Sequence, residues 1–114
     1  MSVIATQVPI NSQGQCPDPS AIVSTVKALD LIVYELVPAS SDDDIGSWHF
    51  ELFLTNKAGG GTLNLSLGLG LGRYLSALVL TSLSEGTYNV NLKVRNYLNG
   101  TEVLIDPIIV RKPG

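Results

Sequence analysis

The stretch Leu83-Ser84-Glu85-Gly86-Thr87-Tyr88-Asn89-Val90-Asn91-Leu92-Lys93-Val94-Arg95 decides the fold. From Tyr88 onward it alternates without a break. Tyr88, Val90, Leu92 and Val94 share one side, and Asn89, Asn91, Lys93 and Arg95 share the other. Successive side chains of a strand point to opposite faces, so this period predicts a strand with one buried and one wet face. Ser84-Glu85-Gly86 supplies a tight turn before it, and Asn96 to Gly100 a turn after it.

Working outward, the same reasoning recovers the neighbours. Trp48, Phe50, Leu52 and Leu54 alternate with His49, Glu51, Phe53 and Thr55, which predicts a strand over 48–55 followed by a turn from Asn56 to Gly61. Residues 62–72 set leucines against Asn64, Ser66, Gly68, Gly70 and Gly72, so one face of that strand loses its side chains. Glycine there marks a bend or the close approach of another backbone. Residues 21–37 are apolar and β-branched, and split near Lys27 into a short and a longer strand. A rival reading starts a helix with Asp18 as cap and Pro19 in its first turn. Residues 74–83 make a further strand, and Thr101–Arg111 a last one, interrupted at Pro107, which belongs on an edge or at a bulge.

Residues 1–20 hold one charge, Asp18, and several turn formers around a short apolar piece, Val3, Ile4, Val8 and Ile10. This predicts an extended arm, residues 1–20, ahead of a domain spanning 21–114, with those four apolar residues reaching a partner. Pro9 restricts such an added strand to an edge.

About seven strands separated by turn signals every 8–12 residues indicate a sandwich or barrel. Trp48 early in one strand, and Leu83-x-x-Gly86-x-Tyr88 opening the penultimate one, resemble the immunoglobulin-like and fibronectin-type-III-like superfamily. The resemblance implies an all-β, immunoglobulin-like antiparallel β-sandwich of about seven strands. It implies Trp48 as core tryptophan and Tyr88 as corner tyrosine, facing each other across a core that includes Phe50, Leu83, Val90 and Leu92. The two disulfide cysteines of antibody domains are missing, since Cys16 is the sole cysteine.

Composition narrows the function classes. The 114 residues carry a net charge of −3 and only 15% charged side chains, with no basic stripe for nucleic acid. No apolar run approaches the length of a membrane span, and residues 1–10 lack the basic start and apolar run of a signal peptide. His49 is the only histidine and has no converging partner, so it is expected as a surface residue. Asp42-Asp43-Asp44 is expected as a solvated acidic loop, because its spacing fails the alternating pattern of calcium loops. Cys16 lacks a basic neighbour that would activate it. Gly68, Gly70 and Gly72 alternate with leucines within a strand, unlike a phosphate loop opening onto a helix.

These features predict a non-enzymatic structural subunit without cofactor or metal, docking onto other proteins of an assembly and forming homo-oligomers. By analogy with immunoglobulin-like sandwiches of phage particles, a virion capsid-decorating or tail-associated protein is expected. Its contacts would use Val3, Ile4, Val8, Ile10, Phe53, Gly68, Gly70 and Gly72. The alternative is a carbohydrate- or cell-surface-binding module using Phe53, Tyr74 and Tyr97.

Overall fold

In the computed structural model, which describes residues 2–59, 69–79 and 85–113, the alternating segments become strands. They are β1 (Val3–Ile10), β2 (Val23–Val26), β3 (Leu31–Pro38), β4 (Trp48–Gly59), β5 (Leu69–Leu71), β6 (Tyr74–Leu78), β7 (Gly86–Asn96), β8 (Glu102–Ile105) and β9 (Ile108–Arg111). They form an all-β sandwich of two sheets, ordered β1-β3-β6-β5 and β2-β9-β7-β4, with β8 also paired to β7.

The sheets are mixed, not purely antiparallel as expected. β1 runs parallel to β3, and β2 parallel to β9. The cause is the segment between β1 and β2. It crosses from one sheet to the other through a turn at Asn11–Gln15 and a single 3-10 turn at Pro19–Ala21. The helix start at Pro19 thus stops after one turn, because Ile22, Ser24 and Val26 alternate inward from there as a strand.

The expected arm is therefore corrected. Residues 3–10 are a full edge strand of the first sheet, and their alternation is satisfied within the chain. Val8 and Ile10, expected to reach a partner, are completely buried, and Ile4 packs against the core. The apolar gain of burying these side chains, about 1.5–3 kcal/mol each, favours pairing in place over a free arm. The sandwich starts at β1 and not at residue 21.

β7 lies between β4 on one side and β8 and β9 on the other. Tyr88, Val90, Leu92 and Val94 are all buried. The final strand is interrupted at Pro107, which lacks an N–H but accepts from the backbone N–H of Val90 at 3.1 Å. Trp48 and Phe50 are buried at the start of β4. Trp48 pairs with Asn96, and Tyr88 with Gly59, so the two sit at opposite ends of the β4–β7 ladder. Eight residues of β7 separate those registers, about 26 Å of extended chain. Trp48 and Tyr88 therefore do not face each other, and each closes its own end of the sandwich. Leu83 and Gly68 lie outside the described residues, as does the Phe53 side chain.

A strained turn joins β2 to β3. Leu29 has φ +67° and is 49% exposed. The left-handed region costs an L-residue about 1–2 kcal/mol. The turn persists because it is tied on all sides. Leu29 N–H donates to Val79 O at 2.7 Å, and the Asp30 carboxylate accepts from the Ser2 and Lys27 N–H groups at 2.9 and 2.8 Å. Leu29→Gly should raise the melting temperature by about 2–4 °C, after allowance for the added chain entropy of glycine. Leu29→Val should lower it, since a β-branched residue fits this region worst. Thermal melts followed by circular dichroism distinguish the two, and a destabilised Leu29→Gly would refute the strain.

Candidate interaction surfaces

Three surfaces concentrate the polar and aromatic groups. The first is a corner made by the 11–15 turn, the 39–46 loop and Trp48. Asp43 is not a solvated member of an acidic run. One carboxylate oxygen accepts from the Ser12 N–H and hydroxyl at 3.0 and 3.2 Å, and the other from the Ser40 N–H and hydroxyl, each at 3.1 Å. The Ser12 hydroxyl accepts from Asp44 N–H at 3.0 Å, and the Ser12 carbonyl accepts from Trp48 Nε1 at 2.9 Å. The Asp44 carboxylate accepts from the Gly46 N–H at 3.0 Å. Asp43 and Asp44 thus close loops while Asp42 is exposed, and among the described residues no three acidic, histidine or cysteine side chains converge as metal ligands.

These bonds, led by the Ser12 N–H, hold the Asp43 carboxyl below the usual carboxylate range. A depressed carboxylate stabilises the fold above the unfolded-state value of about 4, and that stabilisation is lost as pH falls through the folded value. The chain should therefore melt lower at pH 3 than at pH 7. In Asp43→Asn that gap should narrow while the pH 7 melting temperature falls. An unchanged gap would show that Asp43 does not carry this dependence.

The second surface is the outer face of β4, β7 and β8. Glu51 approaches Lys93 and Arg95 at 3.3 and 3.6 Å, and Glu102 approaches the same two at 2.9 and 3.3 Å. Alternating charges on neighbouring strands explain this lattice, whose partly exposed pairs are screened by salt and fix register more than stability. His49 belongs to this face, but it is 7% exposed and not the surface residue expected. The Tyr97 ring, in the turn after β7, stacks on it with centroids 3.1 Å apart and planes inclined by 14°. Burial lowers the His49 pKa, and Glu51 pulls it partly back.

The third surface is the outer face of β1, β3 and β6. Val3 and Tyr74 are 63% and 51% exposed, and Leu31, Val33, Val37 and Leu78 are half-buried there. Glu35 is the only residue with a charged side chain at neutral pH on these three strands' outer face among the described residues, and it accepts a hydrogen bond from the Tyr74 hydroxyl at 2.9 Å. A groove of about 900 Å³ runs between this face and the 16–23 segment. Ala5, Gln7 and Pro9 of β1 line one side, and Pro17, Ala21 and Val23 the other. Cys16 lies in the groove wall, with its thiol pushed up by burial.

The sequence-predicted contact residues are thus scattered. Val3 is on the third surface, whereas Val8 and Ile10 are in the core. Gly70 pairs with Leu75 inside β5–β6. Gly72 is no longer part of a stripped strand face. It has φ +61° at the first central position of the two-residue Gly72-Arg73 hairpin, a conformation that type II′ turns need glycine for. Tyr74 is on the outer face of the first sheet, whereas Tyr97 is in the turn after β7 and stacks on His49. The far wall of the groove was not legible in advance. By sequence Pro17 is a turn former, Asp18 the one charge of residues 1–20 and Ala21 the start of an apolar run, and only the crossing between sheets brings them beside β1. No protein-family model matches the chain, nor does any curated protein.

Proposed function

We propose that the chain is a non-enzymatic structural subunit that docks onto a larger protein assembly, of the kind that decorates a virion capsid or tail. The observation that carries this reading is the asymmetry of the two outer faces. One carries the four charges Glu51, Glu102, Lys93 and Arg95 with Leu104 and Val23 exposed on the same sheet, and the other presents Val3, Leu31, Val33, Leu78 and Tyr74 around the single charge of Glu35. An apolar face depleted in charge is the composition of an interface core. The order β1-β3-β6-β5 opposite β4-β7-β9 supports an immunoglobulin-like sandwich by matching A-B-E-D and C-F-G, with the departure that β1 runs parallel to β3 where that arrangement is antiparallel. Fold analogy alone would be silent on activity.

The test uses purified particles from the source and the full chain. The wild type should co-sediment with particles through a density gradient, and Leu78→Glu, on the apolar face, should remain at the top while melting like the wild type. A wild-type chain that never sediments with particles would reject the virion reading. Equal sedimentation of both forms would reject the apolar face as the contact.

A further inference from the structure

The parity of the β1–β3 ladder leaves one row of backbone groups facing outward. At its two ends, Ser2 O accepts from Leu31 N–H and Ile10 O from Ala39 N–H, each at 2.8 Å. In a parallel ladder, alternate residues bond to the neighbouring strand. The even-numbered residues of β1 are therefore engaged with β3. Val3, Ala5, Gln7 and Pro9 turn their backbone groups to the free edge. Pro9, which has no N–H, removes nothing from the β3 ladder. β1 is the end strand of its sheet and has no second neighbour among the described residues. Ala5, Gln7 and Pro9, together with Thr6, are the β1 residues that border the groove.

We propose that this edge binds an extended peptide segment of a partner protein that carries a lysine or arginine and adds to β1 as a further strand. Backbone donors and acceptors repeating at every second residue are matched by another extended backbone. An uncovered edge of this kind otherwise invites aggregation. The run from Val3 to Pro9 is about 20 Å, enough for a guest of about six residues. The charge preference comes from the lining. Its carboxylates are Asp18 and Glu35, and no lysine or arginine borders the groove. Both are anchored, Glu35 by the Tyr74 hydroxyl at 2.9 Å and Asp18 by the Ser20 hydroxyl at 2.8 Å. A cation between them meets complementary charge, whereas an acidic guest meets repulsion. Apolar guest residues would lie against Val33 and Ala21. This inference rests on the docking reading above and names the kind of segment it captures.

The experiment pans a displayed library of random heptapeptides on the full chain, then measures synthetic copies of the selected peptides by calorimetry. Selected sequences should be rich in β-branched residues and contain lysine or arginine. Binding should slow amide exchange at Ala5 and Gln7, seen by NMR, with little change at Thr6 and Val8. Ala5→Pro and Gln7→Pro each remove a donor that β3 does not use. Each should weaken binding about tenfold or more, and Glu35→Lys should weaken it too. A peptide N-methylated at alternate amides tests the same bonds from the other side, whether or not the proline variants fold, and should not bind.

No enrichment, acidic selected peptides, or equal binding by the N-methylated peptide would overturn the proposal. A concentration-dependent dimer in sedimentation, abolished by Ala5→Pro, would assign the edge to a second copy and overturn it also. Peptide failure alongside particle binding that is lost in Leu78→Glu would overturn this edge alone and leave the docking reading intact.

Discussion

Trp48→Ala should lower the unfolding free energy by about 3–5 kcal/mol, the range for removing a large buried aromatic. Trp48 is 3% exposed and is part of the core cluster. Its indole also does something a purely apolar residue could not. Nε1 donates to the Ser12 carbonyl, tying β4 to the turn after β1. Trp48→Phe should therefore fall between the two, because it keeps much of the packing but leaves that carbonyl without its donor. Urea unfolding of the three forms provides the measurement. A loss below about 1 kcal/mol for the alanine variant would remove Trp48 from the core.

Gly14→Ala should be nearly as damaging, at about 3 kcal/mol, although the change adds one methyl. Two costs combine. Gly14 has φ +77°, where an L side chain is strained. A Cβ built there would also lie 2.5, 2.6 and 2.7 Å from three atoms of the Trp48 ring. That ring is buried and hydrogen-bonded, so it has no free direction in which to yield. The two costs separate in a double-mutant cycle. With Trp48→Ala already present, Gly14→Ala should retain only its backbone part, about 1–2 kcal/mol. Strict additivity would show that the turn and the ring do not meet.

The two variants also show how legible this corner was. Trp48 announced itself as a buried aromatic at the head of an alternating strand. Gly14 read only as a turn former, because the partner that makes it irreplaceable is more than thirty positions away. Asp43 is similar. Within Asp42-Asp43-Asp44 nothing in the local pattern separates the middle residue from its neighbours, yet it alone receives Ser12 and Ser40. His49 read as exposed because it alternates outward on β4. Its cover, Tyr97, comes from a turn, and no period encodes what a turn residue folds back upon.

The interaction surfaces divide in the same way. The apolar outer side of β3 is visible in the run Leu31 to Val37, where apolar residues occupy both parities and only one parity can enter the core. Residues 3–10 carried a legible alternation too, and it was the partner that local pattern left open. A strand's own residues state which face is apolar; they do not state whose edge it joins. Pairing within the chain was decided by the crossing at residues 11–22, which sets β1 parallel to β3 and, among the described residues, leaves its other edge without a neighbour beside the groove.

By itself, then, the sequence determined the all-β class, the inward side of β7 and the break at Pro107, because side-chain period and backbone chemistry are local properties. Tertiary structure alone decided that β1 belongs to the sheet, that Trp48 and Tyr88 close opposite ends, and that Asp18 and Glu35 share one groove. Each of those depends on contacts between residues far apart in the chain, whose geometry exists only once the two sheets have packed.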